Sequence, residues 1–167
     1  VGHWAAQTLA WRGARVLLAG KHDDRLARFP LDGTHAHINI ACEPLLDAVR
    51  RLAPDGIDIL VDTVGTVDTL VSCFPLMRYN GHIVSAGFNG ANSMIDIQKL
   101  RFGELTFHSP SGWTKERMDA TLELVANGHL KTEPLITHRF PVEKAADAWN
   151  LILNKTEPVL GVVLTWE

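Results

Sequence analysis

Val1-Gly2-His3-Trp4, with Gly13-Ala14-Arg15-Val16-Leu17-Leu18-Ala19 shortly after it, frames a short helix that feeds an apolar strand. The helix is predicted over residues 2–12, closed by Gly13 as a left-handed cap, and the strand over 14–19. A glycine at the head of a helix lets an anion approach free backbone N–H groups and the positive end of the helix dipole. The opening quartet therefore reads as the last glycine and first helical turn of a dinucleotide-binding loop, the alternative being a plain start-of-helix glycine. A helix with no strand before it does not complete a βαβ unit. A strand and the earlier glycines of the turn are accordingly expected upstream.

Working outward, helix and strand signals alternate with short polar punctuation, the pattern of a parallel sheet wrapped by helices. Helices are predicted from Asp23, over 44–52, 67–77, 97–102, 115–127 and 142–153, the last with Pro141 at its first turn. Strands are predicted over 37–40, 57–61, 82–86, 105–108, 136–140 and 160–164, with Tyr79-Asn80-Gly81 as a turn. The fold class is α/β, a Rossmann-type doubly wound sheet. The Asp23 carboxylate is placed to cap its own helix, and Asp62 the one after it.

The 167 residues carry a formal net charge of -3, with 46% hydrophobic and 21% charged content. That is enough for one sizeable core. It gives no global pull toward nucleic acid or an anionic membrane. No apolar run approaches a membrane span, and the first residues lack the basic and apolar parts of a signal peptide. Cys42 and Cys73 form no Cys-x-x-Cys pair, so two free thiols and a reducing cytoplasm are expected. His35 and His37 share one strand face, but no third ligand stands near them, and no metal site is expected.

Three stretches carry binding chemistry. Gly2 is the first. Ala19-Gly20-Lys21-His22 is the second, at the strand end where an NAD-binding fold places a carboxylate against the adenosine ribose. Glycine removes the carboxylate that would repel a ribose phosphate. Lys21 offers a positive charge, with Arg25 in reach from the next helical turn. Gly20, Lys21, His22 and Arg25 thus favour NADP over NAD, although a slip of alignment would bring Asp23 or Asp24 to the ribose. An exposed basic turn is the plain alternative. The third comprises two loops at strand C-termini, Thr63-Val64-Gly65 and Gly87-Phe88, where a flat ring or ribose could press on the backbone. Nothing in the spacing of Asp62, His82 and His108 demands a catalytic dyad. Ser85, Ser109 and Ser111 lack a Gly-x-Ser-x-Gly elbow.

From Gly2 to Leu164 the chain resembles the cofactor-binding half of the medium-chain dehydrogenase/reductases, the zinc-type alcohol dehydrogenase-like proteins. The likeness rests on 13–16, on Gly56-Ile57-Asp58-Ile59-Leu60-Val61-Asp62-Thr63-Val64-Gly65, on Asn80-Gly81-His82-Ile83-Val84-Ser85-Ala86-Gly87, on 104–107, and most specifically on 133–146. The resemblance implies a Rossmann domain over 1–128 and a C-terminal segment of a catalytic domain over 129–167. The catalytic zinc ligands and proton relay would lie outside this chain, which leaves no catalytic residue to assign. It implies hydride transfer between a secondary alcohol and NAD or NADP, and a homodimer paired through the edge strand 105–108. The nicotinamide carboxamide would border the loop 109–113. Ser85-Ala86-Gly87-Phe88, Trp113 and 135–138 are also similar to the dehydrogenases that oxidise the hydroxyethyl group of bacteriochlorophyllide a, which would make the alcohol a chlorin. Polyol and threonine dehydrogenases share parts of these stretches. A non-catalytic nucleotide-binding module on the same fold is the alternative of a different class. Trp149 and Trp166 are expected to form an apolar patch where a further domain would pack.

Overall fold

The computed structural model describes residues 1–90, 92–112 and 114–166. Chain contacts divide it into two compact units, Val1–Asp119 and Ala120–Glu167. All strand pairing is parallel, as the α/β class requires.

In the first unit, helix α1 (Gly2–Trp11) leads to β1 (Leu17–Gly20), and α2 (Asp23–Leu26) to β2 (Ala36–Asn39). Then come α3 (Leu45–Leu52), β3 (Ile57–Asp62), α4 (Val67–Ser72), β4 (Met77–Ser85), α5 (Ile97–Phe102) and β5 (Thr106–His108). Helix α6 (Lys115–Ala126) runs across the division. The strands form two separate sheets, β1-β2 and β3-β4-β5.

Apolar periodicity explains the packing. Ala6 of α1 buries against Val16 and Phe29 beside β1. Ala48 and Val49 of α3 bury with Ile38, Cys73 and Leu76. Leu70 of α4 and Phe74 cover Ile83, at the centre of β4. In α3 the stripe leaves the polar side of the helix in water, as an amphipathic pattern does, whereas α1 exposes Trp4 and Trp11.

Four local expectations are corrected. The helix predicted over 67–77 stops at Ser72, and a 3₁₀ turn, Phe74–Leu76, replaces its end. Pro75 has no N–H to continue the α-helical ladder and its ring crowds the preceding turn. Tyr79-Asn80-Gly81 is no free turn but an irregular part of β4. There Asn80 adopts φ 62 and its N–H bonds the Gly103 carbonyl, while the register slips between Ile57 and Ile59. Asp23 does not cap α2; its Oδ1 accepts from Asn39 Nδ2 at 2.7 Å. Asp62 does not cap α4, for reasons given below.

The second unit holds β6 (Ile136–Pro141), α7 (Ala145–Asn154) and β7 (Gly161–Thr165), with β6 and β7 paired through the α7 crossover. Its central polar contact is Thr137. The hydroxyl donates to the Gly161 carbonyl and accepts from Leu160 N–H, both at 3.1 Å. Beside it the His138 ring joins Thr137 Oγ1 at 2.8 Å to Glu157 Oε1 at 3.2 Å. Thr137→Val keeps the shape and removes both backbone partners. A loss of about 1–2 kcal/mol in denaturant unfolding is expected, with Thr137→Ser restoring most of it. Trp149 and Trp166 are exposed.

Candidate functional site

The site grows from the C-terminal ends of β3 and β4. Asp62, the last residue of β3, is 6% exposed. Its carboxylate turns back on its own loop, Oδ1 accepting from Val64 N–H at 3.0 Å and Oδ2 from Gly65 N–H at 3.2 Å. Its main-chain carbonyl accepts from Ala86 and Gly87 N–H at 2.8 and 3.0 Å. One residue thus fastens the loop after β3 to the loop after β4. This is an Asx-type turn closed by a second strand.

The two loops then interlock through glycine. Gly65 adopts φ +80, and a Cβ on it would lie 2.6 Å from Phe88 N. A Cβ on Gly87 would lie 2.5 Å from Gly65 Cα. No side chain fits at either position. Behind the crossing, Ser85 is buried and its Oγ accepts from Asn89 Nδ2 at 2.9 Å. In front, Val64 and Phe88 project into solvent, Phe88 at 94% exposure. The arrangement is a rigid backbone platform rimmed by two apolar side chains, and a flat ring could lie on it.

The head of α1 meets this platform. A Cβ on Gly2 would come 3.3 Å from Thr63 Oγ1. Among the described residues no side chain caps α1, and a helix head of this kind presents its first-turn N–H groups to an anion. The sequence stretches at Gly2, at Thr63, Val64 and Gly65, and at Gly87 and Phe88 therefore come together in space.

The remaining predicted residues sit at the head of α2. Lys21 and His22 are exposed and Arg25 is half-buried. Gly20 has a packing reason as well, since a Cβ there would lie 3.2 Å from Leu26 Cδ2. With Asp23 held by Asn39, Asp24 is the other carboxylate of this turn, and it is exposed. His3, which sequence reasoning passed over, is half-buried on α1, and burial lowers the pKa of its ring, opposed by the Arg25 backbone. The available signal was a histidine directly after the helix-head glycine.

His82 and His108 do pair, Nδ1 to Nε2 at 3.0 Å with stacked rings, but on the exposed face of β4 and β5. The Asp62 carboxylate is occupied by its own loop, so it does not complete a triad with them. Cys42 is exposed; Cys73 is buried, and burial pushes its thiol up. Among the described residues no group of three or more His, Cys, Asp or Glu could hold a metal ion. The described side chains do not fit a catalytic zinc. Trp113 lies outside the described residues, so the carboxamide-bordering loop is described only to Gly112. No helix of the described residues is long and apolar enough to cross a membrane.

Comparisons with known proteins bear on the fold and the family. The L-threonine 3-dehydrogenase of Coxiella burnetii is 28% identical over 173 residues, covering 100% of this chain and 49% of the relative. An NADP-dependent isopropanol dehydrogenase of Entamoeba histolytica is 30% identical over 117 residues, 65% of this chain and 31% of its own. The solved alcohol dehydrogenase of Thermus sp. ATN1 superposes with a TM-score of 0.80 at 27% identity, covering 96% of this chain and 46% of that one. An Escherichia coli alcohol dehydrogenase solved with NADH shares the fold at TM-score 0.81 and 24% identity, covering 96% of this chain and 48% of that one. The chain spans about half the length of the curated relatives it matches. The zinc-binding dehydrogenase family matches residues 1–127, and with a Rossmann-type α/β fold and glycine-locked loops at its strand ends, the chain belongs to that family.

Proposed function

We propose that this chain is the nucleotide-binding part of an oxidoreductase that moves a hydride between a secondary alcohol and a nicotinamide dinucleotide. The observation that carries this reading is the locked pair of loops, 62–65 and 86–88, set against the uncapped head of α1. The glycines at 65 and 87 let the two loops close on one another, since each absent Cβ would meet the backbone of the other loop, and the platform so formed suits a ribose or ring. The pyrophosphate lies at Gly2 and the α1 N–H groups. The nicotinamide ribose lies along Thr63, Val64, Gly65, Gly87 and Phe88. The nicotinamide supplies the hydride chemistry, and these residues bind, orient and shield it. No residue of this chain is proposed to act on the alcohol.

In the doubly wound strand order, the sheets β1-β2 and β3-β4-β5 are the two flanks of one central strand. We take that strand, with the rest of the glycine turn, to complete the functional protein, along with a catalytic domain that holds any zinc. The alcohol is a small one, in keeping with the threonine and isopropanol dehydrogenases among the relatives. A polyol is the neighbouring choice. The chlorin suggested by the short bacteriochlorophyllide-type stretches finds no support in those relatives. The edge strand β5 suits pairing with a second copy, giving a homodimer. Two free thiols suit the cytoplasm. The second reading, a nucleotide-binding module without catalysis, would hold if the chain binds the cofactor while its full-length form oxidises no alcohol.

For the adenosine end, Gly20, Lys21, His22 and Arg25 favour NADP. Calorimetric titration with NADPH and NADH tests both the site and the preference. In a Lys21→Ala/Arg25→Ala double variant, NADPH is expected to bind at least about tenfold more weakly, each lost charge-assisted bond being worth roughly 1.5–3 kcal/mol. NADH, which lacks the ribose phosphate, is expected to change by less than about twofold. Equal loss for both cofactors would remove the NADP assignment, and binding of neither, both by this chain and by a form that carries the central strand and the full glycine turn, would remove the site.

A further inference from the structure

His82 lies in β4 and His108 closes β5, two parallel strands in register, with His82 opposite Thr106 and Val84 opposite His108. Side chains alternate along a strand, so the register decides where both rings go. Ile83 and Phe107 join the apolar layer of Leu70 and Phe74. His82 and His108 are left together on the opposite face, and both are exposed. Their rings stack with centroids 5.3 Å apart and planes inclined by 26°, and His82 Nδ1 stands 3.0 Å from His108 Nε2. Neither ring belongs to the nucleotide platform, which is built from the loops 62–65 and 86–88.

As a hydrogen bond this contact contributes little. One facing nitrogen carries the shared proton and the other accepts it, and at an exposed position water serves both nearly as well. As a pair of ligands the two nitrogens already stand at the working distance. Zinc–nitrogen bonds of about 2.0–2.1 Å hold two imidazole nitrogens roughly 2.9–3.3 Å apart, from a right angle at the metal to a tetrahedral one. The parallel ladder between β4 and β5 fixes the two backbones at this offset before any ion arrives, so binding orders little beyond the rings themselves. An ion takes the place of the shared proton. The ring that carried it passes it through water to its other nitrogen, so both facing lone pairs reach the metal and no net proton is released. Among the described residues no group of three His, Cys, Asp or Glu gathers here, and water completes the coordination shell.

We propose that His82 and His108 form a surface site for a divalent transition ion of the imidazole-preferring class, represented by zinc, which clips the edge strand β5 to β4. Imidazole nitrogen suits zinc, copper and nickel, whereas magnesium and calcium take oxygen ligands. With two protein ligands the ion is held reversibly, unlike the four-ligand cage of a structural zinc. The inference needs only the β4–β5 register and stands whether or not the platform binds a nucleotide.

The test is zinc titration of the full chain by calorimetry, with nitrogen-15 NMR of the histidine rings assigned through the backbone. One zinc per chain is expected, with the ring signals of His82 and His108 shifting together. His82→Gln and His108→Gln are each expected to weaken zinc at least about tenfold, while His129→Gln, at an exposed residue of the other unit, is expected to change it by less than about twofold. Saturating zinc is expected to raise the melting temperature of the unaltered chain and to leave that of either glutamine variant where it was. Magnesium is expected to do none of this. Zinc affinity that survives in both glutamine variants, or magnesium binding as well as zinc, would overturn the site. The NMR measurement on the unaltered chain needs no variant to fold: zinc that leaves the His82 and His108 ring signals in place overturns the proposal directly.

Discussion

Gly87→Val is expected to abolish nucleotide binding and to destabilise the first unit by about 2–4 kcal/mol, the upper range for a single substitution with a named steric cause. A side chain at residue 87 has nowhere to go. Its Cβ would come 2.5 Å from Gly65 Cα and 3.0 Å from the Val64 carbonyl carbon. All of these are backbone atoms, so no rotamer change relieves the clash. The loop after β3 must separate from the loop after β4, and the Ala86 and Gly87 bonds to the Asp62 carbonyl go with it. Gly65→Ala adds a left-handed φ to the same collision, with its Cβ 2.6 Å from Phe88 N. Gly13→Ala is the control. Its φ of +85 carries the backbone penalty of about 1–2 kcal/mol, but nothing lies within 4 Å, and it leaves cofactor affinity intact. Thermal melting and calorimetric titration of the three variants separate the two effects. A Gly87→Val chain that still binds NADH or NADPH normally would show that the interlock is not the site.

Which of these features the sequence discloses depends on how far apart the interacting residues stand. The alternation of elements is a periodic, local property, and α3, α5, β3 and β5 fall close to where pattern alone puts them. Pro75 is local too, and its effect on α4 follows from its missing N–H once the residue is weighed against the apolar stripe around it. The Asp62 turn spans two and three residues and is also legible in principle, since an aspartate ahead of a glycine loop binds its own backbone as readily as a helix. Other contacts have no local signature. Asp23 meets Asn39 sixteen residues on, a contact that the helix-cap reading of Asp23 does not anticipate. The mutual exclusion of Gly65 and Gly87 is set by the parallel register of β3 and β4, in which Asp62 pairs with Ser85. Glycine in each loop is visible in the sequence; that the two glycines need each other is not.

The Asp62 carboxylate gives the second large effect, for an electrostatic reason. Asp62→Ala leaves the Val64 and Gly65 N–H groups without their acceptors in a part-buried loop. Each orphaned donor costs about 1–3 kcal/mol, so a loss of roughly 2–4 kcal/mol in urea unfolding is expected once partial hydration of the opened loop is allowed for. Asp62→Asn keeps one acceptor oxygen and sets an NH₂ group against the other N–H. It is expected to fall between the parent and the alanine variant. The main-chain bonds from Ala86 and Gly87 to the Asp62 carbonyl do not involve the side chain, so β3 and β4 stay paired and the loop alone loosens. Cofactor affinity is then expected to fall further than stability accounts for. A platform that must be re-ordered on binding draws that ordering cost from the affinity. If Asp62→Asn matched Asp62→Ala in both stability and affinity, a single acceptor would have no value to the loop. If both variants bound cofactor as the parent does, the nucleotide would be held elsewhere on the β3–β4 edge.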